Sequence, residues 1–436
     1  MIKKLLNSKF KKDLIFSYAT QAISISFGFL QLFLINRYFG VNIYGQLAII
    51  MSTAGIFSSL LTARSSEAVT RFFKREELNK NYENAKFVLF IGFVIDFITA
   101  MILVLLIYIS AEFISTTFLK NESLQQEIVL YSIVIFFGFL RGSFIGFLQS
   151  QELFKEINTI AIVESVLKVT FLLISIFVLH RYGLNSVIYV LILASLFSFL
   201  YTLYLFFKYY KDKYIRIRFV FNTLILKEYW NFNIKTFISS SLKVGASNID
   251  NLILGYYTNT MTVGIYQTIR KILLPLSLLI SPFSTLTLPK FIFYFEQKQF
   301  MQLNELIKKI TIKLFLLSIV LLVILFLLLQ PYLSYQNIQY SNTILISFFI
   351  LAIHYILQLF MWWGRNFIIL YNPILPIYSN LLLSINSIWI PIMLFQINYF
   401  DELITICLGI LLAYIPSWLF APIIYLKFMK KEKVIP

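Results

Sequence analysis

The chain has 436 residues, 59% of them hydrophobic and only 13% charged, with a mean hydropathy of +0.81 and a formal net charge of +17. Soluble domains average roughly 45–50% apolar and about 25% charged residues, so no aqueous core could absorb this much Phe, Leu and Ile, and the bilayer must act as solvent. One Cys, Cys407, excludes an internal disulfide framework, and two distant His, His180 and His354, suggest no metal cluster; no metal or cofactor is expected.

A membrane span needs about 20 mostly apolar residues. On that length, spans are predicted near 14–36, 46–70, 87–109, 128–149, 157–179, 186–207, 233–255, 262–287, 312–330, 342–363, 374–397 and 403–426. The fold class is therefore all-α and polytopic, with about twelve spans. Ahead of the first stands the basic segment MIKKLLNSKFKKD, and Gln21, Ser24, Gly28 and Gln31 interrupt the apolar run that follows. With no small-residue cleavage site after it, this reads as an uncleaved span rather than a leader.

Charge fixes the orientation. Of the 37 Lys and Arg, 26 fall in connectors on the side of the termini, and only Arg37, Lys120 and Arg181 fall on the opposite side. The positive-inside rule then places both termini in the cytoplasm and requires an even number of spans. It also explains the basic balance without nucleic acid. The outer connectors are short and leave no room for an extracytoplasmic domain. The longest inner connector, 208–232, is basic and aromatic and is expected to lie along the anionic inner leaflet. It divides the chain into an N-terminal lobe of spans 1–6 (1–207) and a C-terminal lobe of spans 7–12 (233–436). RYFGVNIYGQ after span 1 and GYYTNTMTVGIYQ after span 7 echo one another, as parallel six-span repeats would.

Eight basic residues remain inside the spans: Arg64, Arg141, Lys168, Lys235, Lys243, Arg270, Lys271 and Lys313; Glu67, Asp96, Glu164 and Asp250 are the acids. A charge at the bilayer centre costs about 2.5–3.5 kcal/mol even on insertion scales, so these groups should face water or each other. In span 7, Lys235, Ser239, Lys243, Ser247 and Asn251 recur every four residues, with Asp250 beside them, making one polar helical face. Arg270 in span 8 and the uncharged stripe Ser17, Gln21, Ser24, Gly28 and Gln31 in span 1 extend it to an expected wet, net-positive cavity between spans 1, 2, 7 and 8.

Bland readings stand beside these. Lys235, Lys271 and Lys313 could snorkel to an interface. Glu164 and Lys168 form an i,i+4 pair that could be structural. Arg64, Glu67 and Arg71 share a face and could lock one helix end. Gly138, Gly142 and Gly146 read as a packing seam. Arg141 has no partner in its own helix, with Asp96 available in span 3. His354 and Gln358 suggest an interhelical hydrogen bond or, less simply, a proton relay. Pro373, Pro376, Pro391 and Pro416 mark kinks. Lys243 and Arg270 are the foremost ligand-binding candidates, and Lys243 or Arg270 pairing with Asp250 is the rival reading.

Two segments carry a resemblance: INRYFGVNIYGQLAIIMSTAGIFSSLLTARSSEAVTRFF (Ile35–Phe73) and KVGASNIDNLILGYYTNTMTVGIYQTIRKILLPLSLLISPFSTLTLPKF (Lys243–Phe291). Both resemble bacterial Wzx-type O-antigen and capsule repeat-unit flippases of the multidrug/oligosaccharidyl-lipid/polysaccharide (MOP) exporter superfamily. In the second segment the pattern is Asp250, Leu252–Gly255, Gly264–Tyr266, Pro275 and Leu288–Pro289. The resemblance implies two six-helix lobes around a cationic cavity and alternating access. It implies a substrate of undecaprenyl diphosphate carrying an oligosaccharide, and a place in the bacterial inner membrane near a polymerase and a chain-length regulator. Related lipid II flippases use an Arg at the position of Arg270 and carry two further spans that are absent here. Substrate-binding residues are then expected at Lys243, Arg270, Arg64, Arg141, Gln21, Gln31, Ser239 and Ser247. Coupling or ion-pair residues are expected at Asp250, Asp96, Glu67, Glu164 and Lys168, and no catalytic residue. A polysaccharide polymerase or ligase would need outer catalytic surface, and a multidrug exporter would favour an acidic cavity. Both are weaker alternatives.

Overall fold

Hydrocarbon offers no water to satisfy backbone N–H and C=O groups, so a chain this apolar must close its hydrogen bonds within helices or a barrel. Helix is the outcome. The computed structural model describes residues 8–61, 65–180, 183–214, 217–241, 249–280, 287, 291, 294–295, 297–372 and 375–432, and among these there is no strand.

The helices run in chain order as α1 (Ser8–Leu34, continued by a π-helical turn, Ile35–Phe39), α2 (Val41–Leu61), α3 (Ser65–Leu78), α4 (Tyr82–Thr117), α5 (Gln125–Leu140), α6 (Gly142–Ser150), α7 (Phe154–Phe177) and α8 (Leu184–Tyr214). They continue as α9 (Thr223–Ser241), α10 (Ile249–Tyr257), α11 (Thr260–Leu278), α12 (Phe300–Tyr335), α13 (Asn342–Phe360), α14 (Gly364–Tyr371), α15 (Leu375–Ile397) and α16 (Glu402–Lys431). Among the described residues, the predicted spans fall mostly on helix. Ten helical segments of the described residues are long and apolar enough to cross a membrane. The segments predicted as spans 7 and 8 are not among the ten: they carry the polar residues of the site, and 242–248 and 281–286 lie outside the described residues. The span predicted at 128–149 is two helices, α5 and α6, with Arg141 in the turn between them.

The helices gather into two compact units. The first comprises 1–39 and 53–241, the second 40–52 and 242–436. Helix α2 is thus shared: its first residues belong to the second unit and the rest to the first.

In the first unit α4 packs on α5, α3 on α4 and α6, α7 on α1 and α8, and α9 on α3 and α4. Its core is aromatic, built on Phe73, Phe87, Phe147, Tyr214 and Tyr229, all fully buried. Phe147 packs edge-on against Phe73 at 5.3 Å and Phe206 at 5.1 Å, a geometry the ring quadrupoles favour. In the second unit α16 packs on α13, α14 and α15, and α13 also on α11 and α12. Phe291, Trp362, Trp363, Phe367 and Met429 centre that core. Outside the cores, apolar side chains are exposed along whole faces, as on α12 at Leu316, Val320, Val323, Leu327 and Leu328. Such faces suit a hydrocarbon solvent.

Candidate functional site

The second unit holds a cavity of about 260 Å³ lined by residues of α10, α11, α13, α15 and α16. Sequence explains its polarity. Asp250 begins α10, and Tyr266, Arg270 and Ser277 follow one another along α11 at spacings of four and seven, which places them on one helical face. On α13, His354 and Gln358 lie four residues apart on one face, with Tyr355 beside them. Ser387 from α15 and Tyr414 from α16 complete the lining.

An ion pair organises the cavity. Arg270 Nη1 donates to Asp250 Oδ2, the same oxygen that accepts from Tyr266 Oη at 2.7 Å. The backbone N–H of Asn251 donates to Asp250 Oδ1 at 3.0 Å. The carboxylate is therefore enclosed, with Asp250 only 7% exposed, while the Arg270 side chain remains 29% exposed. A guanidinium has five N–H donors in a planar fork. No other acceptor among the described residues hydrogen-bonds it, and Arg270 lines the cavity, so its fork has donors to spare. Its charge also lies over the Tyr266 ring, 5.6 Å from the centroid. Of the two readings of Arg270, the pairing with Asp250 is therefore formed: a buried carboxylate holds the guanidinium, because a lone cation enclosed in protein is too costly.

Beside this pair a second polar chain runs through the unit. Gln267 Nε2 donates to Asn251 Oδ1 at 2.5 Å, and Asn251 Nδ2 donates to Ser52 Oγ at 2.6 Å. Asn251, the last member of the predicted stripe, is therefore buried in protein. His354 is 6% exposed, and its ring packs against Tyr355, Tyr414 and Trp418 at 5.2, 4.6 and 5.1 Å. Its Nδ1 is shielded and has no hydrogen-bond partner among the described residues, so the interhelical hydrogen bond expected here is not made through that atom; His354 and Gln358 both line the cavity.

In the first unit a separate charged cluster stands where α5–α6, α7 and α8 meet. Arg141 Nη1 donates to Glu164 Oε2 and, at 2.6 Å, to Ser198 Oγ; Lys168 Nζ lies 2.7 Å from Glu164 Oε1. One carboxylate thus serves two cations. Asp96, expected as a partner of Arg141, instead accepts from the Ser143 backbone N–H at 2.7 Å and from Ser143 Oγ at 2.5 Å. The physical reason is the break at Arg141: it frees the first N–H groups of α6, and Asp96 caps them across the helix interface.

The other predicted residues are dispersed. Gln21 is exposed and Gln31 half-buried on α1; Glu67 is exposed on α3, where Arg71 stacks 4.9 Å from the Phe232 ring centroid. Arg64, Lys243 and Ser247 lie outside the described residues, as does the side chain of Ser239. Sequence reasoning missed Tyr266, Ser277, Tyr355, Ser387 and Tyr414. Tyr266 could have been found from its i,i+4 relation to Arg270. Ser277, seven residues after Arg270, shares that face; Tyr355, Ser387 and Tyr414 carry no such signal in a chain with 27 Tyr.

Among solved structures, that of an inward-facing multidrug resistance MATE family transporter of the MOP superfamily matches with a TM-score of 0.75 at 15% identity, over 95% of this chain and 99% of that one. The lipid II flippase MurJ in an inward closed conformation matches at 0.71 and 17% identity, over 96% of this chain and 91% of that one. An outward-facing MATE transporter of the same superfamily matches at 0.62 and 15% identity, over 98% and 97%. No curated protein matches the sequence. At these identities the structural likeness is one of fold: an all-α, multi-pass membrane protein built as these transporters are. A family model described as polysaccharide biosynthesis protein matches residues 10–295, well over half the chain, so this protein belongs to that family, and its fold is like that of these transporters.

Proposed function

We propose that this protein is a flippase, not an enzyme, and that it moves undecaprenyl-diphosphate-linked oligosaccharide repeat units to the outer leaflet of the bacterial inner membrane. The product would feed O-antigen or capsular polysaccharide synthesis, with both termini cytoplasmic and a polymerase and chain-length regulator as neighbours in the pathway. Alternating access through a cationic path is the mechanism this reading entails. The observation that carries it is Arg270, a partly exposed guanidinium lining a polar cavity on a segment read as a membrane span, in a chain of the polysaccharide biosynthesis family.

The chemistry fits. A diphosphate accepts bidentate hydrogen bonds that Arg supplies better than Lys. Tyr266, Tyr355, Tyr414, Gln358, Ser277 and Ser387 offer the mixed donors and acceptors that sugar hydroxyls require. At about 260 Å³ the cavity falls just below the 300–1,000 Å³ of most small-molecule sites, so it suits a headgroup and not a whole glycan. Outward movement of two negative charges from an inside-negative cell gains about 4–5 kcal/mol per 100 mV.

Deletion of the gene followed by analysis of lipid-linked sugars tests this. Accumulation of undecaprenyl-linked single repeat units on the cytoplasmic leaflet supports flipping. Unpolymerised units on the outer leaflet would reassign the protein to polymerisation, and unchanged lipid-linked sugars with altered drug efflux would reassign it to multidrug export.

A further inference from the structure

His354 is a buried imidazole that the substrate-binding reading does not use. Its Nδ1 is shielded without a partner among the described residues, its ring packs on Tyr355, Tyr414 and Trp418, and the residue lines the cavity. The titratable and charged groups that face this space can be named helix by helix. From α10 comes Asp250, from α11 Arg270 and Tyr266, from α16 Tyr414, and from α13 itself Tyr355. Cys407 of α16 is buried in the same unit, and α12, which also packs on α13, contributes no lining residue. Among the described lining residues, then, one carboxylate, one guanidinium and one imidazole share the cavity.

These three groups balance narrowly. With Arg270 on Asp250 the cavity is neutral when His354 is neutral. A phosphate that draws Arg270 away leaves the Asp250 carboxylate enclosed with no cation, a state that burial makes costly. The imidazole is the one described group of the cavity able to gain a positive charge in response.

Resting on the substrate reading above, we infer that His354 takes up a proton from the aqueous side when phosphate engages Arg270, so that ligand binding and protonation are coupled through Asp250. The step balances simply: an O–H bond of hydronium breaks and an N–H bond of the imidazole forms, water is released, and the imidazolium supplies the positive charge that the carboxylate loses with the guanidinium. Reciprocity requires that the proton in turn strengthen phosphate binding.

The test uses the full chain in lipid nanodiscs and a polyprenyl diphosphate as the probe, with affinity measured from pH 5.5 to 8.5. Coupling of one proton makes wild-type affinity fall by up to about tenfold per pH unit above the transition. His354→Gln keeps a polar group of similar size and should lose most of that slope, retaining only what ionisation of the diphosphate itself contributes. Asp250→Asn, which removes the stranded charge, should flatten it as well. Size-exclusion profile and thermal unfolding show whether each variant is folded, and His354→Asn replaces His354→Gln if the latter is not. Equal slopes in wild type and a folded His354 variant would overturn the inference and leave the substrate reading standing. Wild-type protein that binds no diphosphate at any pH would overturn both.

Discussion

The two ion-pair clusters buried in the helices differ in how their charges are matched. In the cavity one acid meets one base: Arg270→Ala strands Asp250, whereas Asp250→Asn leaves a cation that can still meet phosphate. Surface-glycan assays should therefore find Arg270→Ala inactive and Asp250→Asn partly active. If the double variant Arg270→Ala/Asp250→Asn regained full glycan, Arg270 would be structural only. The Arg141–Glu164–Lys168 cluster behaves differently, because one acid serves two cations. Glu164→Gln leaves both without that acid and should cost about 3–5 kcal/mol, while Arg141→Met leaves Lys168 to hold the carboxylate and should cost less. Thermal denaturation in detergent ranks them; an equal loss would show that Lys168 contributes nothing. Charged residues in apolar runs are conspicuous, so Arg270, Asp250, Arg141 and Glu164 were legible in the sequence. Which acid meets which base depends on helix rotation and on the break at Arg141, and no spacing rule within one helix reports either.

At the level of helices, two glycines allow backbones to touch. A Cβ at Gly45 of α2 would lie 1.7 Å from the Thr260 carbonyl oxygen of α11, and one at Gly264 would lie 2.2 Å from that of Val41. Gly45→Ala or Gly264→Ala must push the two helices apart, at about 1–3 kcal/mol or more. In the seam predicted on α5–α6, the members differ. A Cβ at Gly146 meets the backbone of Ser66 at 2.7 Å, one at Gly142 meets Asp96 at 3.0 Å, and one at Gly138 meets nothing within 4 Å. Gly138→Ala should leave protein level and glycan unchanged, whereas Gly146→Ala should lower both on immunoblot and glycan gel. Equal tolerance would contradict the packing. The small-residue pattern was visible in the sequence; which members touch a neighbour was not, since that depends on the partner helix.

For the whole molecule, hydropathy located ten helical segments long and apolar enough to cross a membrane, because apolar length is a local property that tertiary packing does not override; the segments read as spans 7 and 8 fall short of that test. The charge split predicts sidedness. Reporter fusions after Lys80, Arg218, Lys298 and Lys433 should read as cytoplasmic, and fusions near Asn121 and Asn337 as external. Lys80, Lys298 and Asn337 all sit at positive φ in turns between helices, and Asn121 starts a short helical turn after α4, so an inserted tag should disturb little packing. A cytoplasmic signal at either Asn would overturn the span order. What hydropathy could not reveal is the membership of α2, since an apolar helix shows no trace of which neighbour it serves.

That shared helix has a consequence for how the protein is made. Ser52 hydrogen-bonds Asn251, 199 residues later in the chain, and Asn42 accepts from Thr260, 218 residues later. During synthesis the start of α2 enters the bilayer with its polar groups unmatched and must wait until α10 and α11 leave the ribosome. The first hairpin is thus inserted early and completed late. A nascent chain stalled or truncated before α11 leaves Asn42, Gly45 and Ser52 without their native packing, and quality-control proteases should recognise it there first.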